Sequence, residues 1–140
     1  MKLLGRGDQI RRNTAELTHR FRRGPIFRTT IYCWTSKPGR LFDMTDEIGE
    51  RARKIGATSL RSIGDTAGRQ RLKDNDESSL TADAMLTILR DDNIELTADL
   101  RATHGLCAEC NDVATASLIE VWIDQSERRS WFLIETLDAD

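Results

Sequence analysis

The clearest pattern in the chain begins at Leu41, where LFDMTDEIGERARKI sets Phe42, Thr45, Ile48 or Gly49, Ala52 and Ile55 on one helical face and leaves charge on the other. Gly56 is placed to end that helix. Leu60 and Ile63, three apart between Gly56 and Gly64, predict a short helix, followed by a charged, exposed connection through RQRLKDND. Thr81 ahead of Asp83 opens a third helical run, in which Met85, Leu89, Leu96, Leu100 and Cys107 recur at core spacing. Either Asn111 or Asp112 can cap the last helix, VATASLIEVWIDQSERRSWFLIETL. Its nearly apolar first half, from Ala114 to Ile123, predicts burial on most sides, and the Ser-Glu-Arg-Arg-Ser stretch from Ser126 predicts a polar face. Residues 41–137 are thus predicted helical, with breaks near Gly56 and between about Cys107 and Asn111. The two prolines fall at 25 and 38, and no alternating run competes as a strand in 41–140. The fold class is all-α, with a bundle as its architecture.

Residues 1–40 break this pattern. RRGPIFRTTIYCWTSKPGR has no helical period, and TTIYCWT alone reads as a short strand. The front is therefore expected to be poorly ordered against the helical body. Charge divides at the same place. The first forty residues hold ten Lys/Arg against Asp8 and Glu16, about +8, and the remaining hundred hold eleven against twenty-one acids, about -10, giving the net -2. Two segments follow: a basic, atypical front over 1–40 and a helical domain over 41–140. Arg11, Arg12, Arg20, Arg22 and Arg23 are candidate phosphate contacts to DNA, and a solvated tail is the plainer reading of the same charges.

At 140 residues the chain is long enough for one domain. No apolar run reaches membrane length and MKLLGRGDQIRR has no signal-peptide core, so a cytoplasmic protein without a membrane partner is expected. Cys33, Cys107 and Cys110 are odd in number, which argues against a disulfide framework. Cys107 and Cys110 form a C-x-x-C with His104 upstream, but without a second such motif they read as ordinary helix-terminal thiols. Trp122 and Trp131 read as core or interface anchors rather than a redox relay.

The string MTDEIGERARKIGATSLRSIG resembles a signature of the Dps family, DNA-binding proteins from starved cells, in which a D-x-x-x-E pair precedes an arginine and a helix-ending glycine. The resemblance continues in family order through MLTILRDDN and NDVATASLIEVWIDQSERRSWFLIETL, spanning about 41–137. It implies a ferritin-like four-helix bundle whose first helix and start of the second are degenerate here. It also implies a dodecameric homo-oligomeric shell, Fe(II) oxidation by peroxide or oxygen, ferric iron storage without an organic cofactor, and protection of DNA in starvation or oxidative stress, with nonspecific DNA binding in some members. The pair here is Asp46 and Glu50, the candidate catalytic and iron-ligating residues. Four apart on a helix, their carboxylates share a face and offer oxygen donors that suit iron. The plainer reading is a solvated face with Glu50 paired to Lys54.

In that family the ferroxidase site lies between subunits, with histidines from a pattern like HWHxxGPHFxxxH facing the neighbour's D-x-x-x-E pair. This chain has no His-Trp, and its histidines are His19 and His104. Half the constellation is missing. Shifting the reading frame so that each codon takes the last base of one residue and the first two of the next, Gly24 to Arg40 can encode GPHF(S or Q)DYHLLLDEQAGQ. That string joins directly to LFDMTDEIGE. We read residues from about Thr18 or Arg23 to Arg40 as translated out of frame, which makes the basic charge there a by-product. Ferroxidase activity is then expected to be incomplete, and the competing expectations are a non-catalytic shell-forming or DNA-coating protein and a decayed family member.

Overall fold

The computed structural model describes residues 39–70, 75 and 79–138, with side-chain burial given from Asp43 onward. Every described element is a helix: α1 (Gly39–Lys54), α2 (Ile63–Gly68), α3 (Ala82–Glu109) and α4 (Val113–Leu137). The chain divides into two compact units, Met1–Met85 and Leu86–Asp140. The expectations for residues 1–38, including the strand-like TTIYCWT and the poorly ordered front, lie outside the described residues, as does the side chain of Phe42.

In the first unit, Met44, Ile48 and Ala52 repeat at steps of four along α1, and Met44 and Ala52 are buried. Ile48 and Ala52 belong to the expected face of Phe42, Thr45, Ile48 or Gly49, Ala52 and Ile55, whereas the buried Met44 was not on it and Ile55 does not share its burial. Ile55 is 56% exposed, because the helix has already ended at Lys54. Gly56, with φ at +80°, takes the left-handed conformation that an L side chain resists. The Gly56 N–H donates to the Arg53 carbonyl at 3.0 Å and the Ala57 N–H to the Ala52 carbonyl at 2.8 Å, closing a Schellman motif. Arg51, Arg53 and Lys54 place positive charge at the same negative helix end.

The short helix forms later than Leu60 and Ile63 suggested. Ser62 is its N-cap, in an extended conformation, and its hydroxyl accepts the Asp65 N–H at 3.1 Å. Ile63 then lies at the first helical position and is 85% exposed, so local capping rather than apolar burial fixes this helix.

All five positions picked along α3 are buried: Met85, Leu89, Leu96, Leu100 and Cys107. Thr81 accepts the Ala84 N–H at 3.2 Å and caps the helix as expected. Within the second unit α3 runs antiparallel to α4, as cross-helix bonds join Asn93 to Arg129, Thr97 to Ser126 and His104 to Glu120. From α4 the core takes Ile119, Trp122 and Leu133. Full burial of a Leu or Ile contributes roughly 1.5–3 kcal/mol.

The corner between these helices resolves the Asn111-or-Asp112 alternative in favour of Asp112, while Asn111 ends α3. Asn111 adopts φ +54° and its N–H donates to the Ala108 carbonyl at 3.2 Å, while the Asp112 N–H reaches the Cys107 carbonyl at 2.8 Å. The Asp112 carboxylate accepts the Thr115 N–H at 3.2 Å. Asp112 therefore closes one helix and caps the next. Two expectations for α4 are corrected. Its apolar first half is not buried on most sides, because Val113 and Val121 are 73% and 54% exposed. The Ser126–Ser130 stretch is not uniformly polar-faced, because both serines are buried while Glu127 and Arg128 between them are exposed.

Candidate metal centre

Helix α1 carries the two carboxylates singled out by the sequence. Asp46 and Glu50 lie one helical turn apart and both are exposed, opposite the Met44–Ala52 stripe. The helical period separates them from the core: with Met44, Ile48 and Ala52 turned inward, positions two residues on from Met44 and Ile48 turn outward. Glu50 Oε2 accepts from Lys54 Nζ at 3.3 Å, and both side chains are about two-thirds exposed, at 67% and 66%. An exposed pair of this kind contributes about 0.3–0.5 kcal/mol, so it does not hold Glu50 against a stronger ligand.

Two carboxylates are fewer donors than an iron ion takes. Among the described residues, no three His, Cys, Asp or Glu side chains form a group able to hold a metal. His104 directs Nε2 to Glu120 Oε1 at 3.0 Å, and it does not join Cys107 and Cys110 in a metal cluster. Cys107 is buried and Cys110 exposed, as helix-terminal thiols. Trp122 is buried and anchors the core, whereas Trp131 is 60% exposed and does not. The candidate DNA contacts Arg11, Arg12, Arg20, Arg22 and Arg23, with His19 and Cys33, lie outside the described residues.

A polar seam between α3 and α4 was not anticipated. Asn93 and Ser126 are fully buried, with Thr97 and Ser130 nearly so. Asn93 Nδ2 donates to the Leu89 carbonyl at 2.8 Å, and its Oδ1 accepts from Arg129 Nε at 2.9 Å. The Thr97 and Ser126 hydroxyls lie 2.7 Å apart, and both are within hydrogen-bonding distance of the Asn93 carbonyl, at 2.7 and 3.3 Å. The signal was present in the sequence as a gap, since the α3 stripe passes from Leu89 to Leu96 with Asn93 where an apolar residue was due. The seam holds amide, hydroxyl and guanidinium groups. Its donors are unsuited to iron, and its buried polar residues include neither carboxylate nor imidazole.

The helical order agrees with a family comparison, in which the model for the Ferritin-like domain matches residues 40–140. The chain belongs to the ferritin-like family. Its fold is shared with solved Dps structures. A Dps point mutant from Listeria innocua aligns with a TM-score of 0.91 at 14% identity, over 98% of this chain and 89% of that one. Dps from Thermosynechococcus elongatus aligns at 0.87 and 19% identity, over 97% and 85%. The Dps protein from Vibrio cholerae O1, described as a member of a broad superfamily of ferritin-like diiron-carboxylate proteins, aligns at 0.86 and 21% identity, over 97% and 84%. No curated protein sequence matches the chain significantly. This ferritin-like chain has no described helix long and apolar enough to cross a membrane. Ferritin-like bundles build diiron sites from inward-facing Glu and His on facing helices. In this chain the α3–α4 seam carries buried Asn, Thr and Ser.

Proposed function

We propose that the chain is a Dps-like iron-handling subunit, in which Asp46 and Glu50 are one half of an iron site completed by a neighbouring subunit. The observation that carries this reading is the exposure of both carboxylates on one face of α1, in a ferritin-like fold whose described residues supply no third ligand. Fe(II) and ferric iron are the substrate and the stored product. The role of the two carboxylates is to neutralise charge on the incoming cation and hold it with an open position for peroxide or oxygen. A homo-oligomer of this sequence then oxidises Fe(II) slowly, because histidines expected from the neighbour are missing from the sequence. A dodecameric shell, cytoplasmic location and protection of DNA belong to the same proposal.

The test is co-assembly with an intact Dps relative, so that some interfaces combine the relative's histidines with Asp46 and Glu50. Asp46→Ala or Glu50→Ala in this chain should lower iron uptake at those interfaces, since each removes a charged oxygen donor. Unchanged uptake with both substitutions, in shells verified to contain this chain, would reduce the pair to a solvated helix face. The basic composition of residues 1–40, ten Lys/Arg against two acids, supports a second reading, a non-catalytic shell-forming or DNA-coating protein. Its signature is DNA binding that weakens steeply with salt and is lost on neutralising Arg11, Arg12, Arg20, Arg22 and Arg23.

A further inference from the structure

We propose that the segment joining α1 to α2 is a second phosphate-contacting surface, on which Arg53, Lys54, Arg61 and Arg69 hold duplex DNA without reading its sequence. This surface rests on the DNA-coating reading above and adds to it contacts from the helical body. Residues 51–73 hold seven of the eleven Lys/Arg found in 41–140, with Asp65 as their single acid. Residues 41–50, just before them, hold four acids and no cation, so positive charge is concentrated in one stretch of an otherwise acidic body. That charge faces water. Arg53 and Lys54 are exposed at the C-terminal end of α1, and Arg61 and Arg69, both exposed, flank α2. Asp65 lies between these two arginines in sequence, accepts a hydrogen bond from Arg69 Nε at 2.8 Å and feels the Arg61 charge as well. One carboxylate between two guanidinium groups leaves α2 positive. Lys54 pairs with Glu50 at 3.3 Å, but the pair is solvated and weak enough for a phosphate to displace the carboxylate.

The kind of anion follows from how the cations are distributed. They sit on the end of one helix and on both sides of another, an arrangement that suits a polymer of regularly spaced phosphates, each contact releasing condensed counterions. Three of the four are arginines, whose guanidinium forks match phosphate oxygens. Residues 51–73 contain no aromatic side chain on which an unpaired base could stack, so contact to a duplex backbone is favoured over capture of a single strand. Ile55 and Ile63 are also exposed, at 56% and 85%. A lipid surface or a second copy of the chain would use these aliphatic groups, whereas phosphate contact does not. Helix α2, at six residues, is too short to present a continuous apolar face to a bilayer.

The experiment measures binding of the full chain to two DNA duplexes of unrelated sequence over a series of salt concentrations, with circular dichroism confirming that each variant is folded. Arg53→Gln, Lys54→Gln and Arg61→Gln together, with the front unchanged, should weaken binding to both duplexes alike. The slope of log affinity against log salt should fall by about 3, roughly one for each lost contact. Asp65→Asn should act in the opposite direction and tighten binding, and Ile63→Ser should change neither affinity nor slope. Unchanged affinity and slope in the triple variant, with loss only on neutralising the front arginines, would overturn this surface and leave the DNA-coating reading standing. Absence of binding by the parent chain even at low salt would overturn both. Loss with Ile63→Ser as large as in the triple variant, or binding to phosphatidylserine vesicles in place of DNA, would make the patch an apolar contact and overturn the proposal.

Discussion

The Asp46–Glu50 face of α1 and the Asn93–Ser126 seam between α3 and α4 are both polar positions set at helical spacing, yet they experience opposite environments. On α1 the carboxylates face solvent, with Glu50 bonded to Lys54 at 3.3 Å. In the seam, Asn93 and Ser126 are completely buried and their polar atoms are bonded across the helix pair. Water solvates the first set, so a lost side chain there is readily replaced by solvent. The second set has exchanged water for protein partners, and removing one leaves the others desolvated. The buried seam is thus where polarity fixes structure, and the exposed face is where charge remains available for a ligand.

The largest stability change that sharpens this contrast is expected for Asn93→Ala. It removes the acceptor of Arg129 Nε and the donor to the Leu89 carbonyl, at a cost of about 1–3 kcal/mol. Urea unfolding would measure it, and a variant as stable as the parent would show that water replaces the amide. Next, the pair Thr97→Val and Ser126→Ala should be coupled by about 0.5–1.5 kcal/mol in a double-mutant cycle, because their hydroxyls meet at 2.7 Å. Additive effects would mean that each hydroxyl is satisfied by the Asn93 carbonyl alone. By contrast, Asp46→Ala and Glu50→Ala should each shift stability by less than about 0.5 kcal/mol. A larger loss would place these carboxylates in the framework and weaken their claim to be ligands.

The smallest effect concerns Asp65 on α2. The hydrogen bond from Arg69 Nε at 2.8 Å holds its carboxyl below the ordinary aspartate value, against opposing desolvation and aided by the Arg69 charge, a backbone hydrogen bond at Arg61 and the Arg61 charge. A carboxyl lowered in the folded state adds stability above its unfolded pKa and loses it as pH falls through the folded value. Asp65→Asn should therefore be slightly less stable than the parent at neutral pH, with the difference closing in acid. Parallel denaturation curves from neutral to acidic pH would show that solvent screens the pair completely.

How far the sequence reached differs between these regions. All five apolar positions read along α3 proved buried, because they repeat over a helix long enough to average out exceptions, while the buried Leu86, Asn93 and Thr97 were not read. The α1 stripe was read in part: Ala52 is buried as expected, but Met44 was passed over because Thr45 and Gly49 are weak markers of a face, and Ile55 falls past the helix end. The candidate ligands Asp46 and Glu50 came from spacing and family resemblance, and their exposure follows from the α1 period once Met44 and Ala52 define its buried side.

By itself, the sequence determined the local events: helix starts at Thr81 and at Asn111 or Asp112, the stop at Gly56, and the apolar spacing of α3. Each depends on residues within a few positions, where capping, φ preference and helical period act directly. Tertiary structure decided which polar residues are buried. Ser126 and Ser130 belong to the same charged stretch as Glu127 and Arg128, and only the antiparallel packing of α3 against α4 brings Ser126 to Asn93 and Thr97 and buries Ser130 while leaving the charges in water. The physical reason is that desolvation belongs to a pair of surfaces. A single helix carries the side chains, but burial and its hydrogen-bonding requirement arise only when the second helix excludes the water between them.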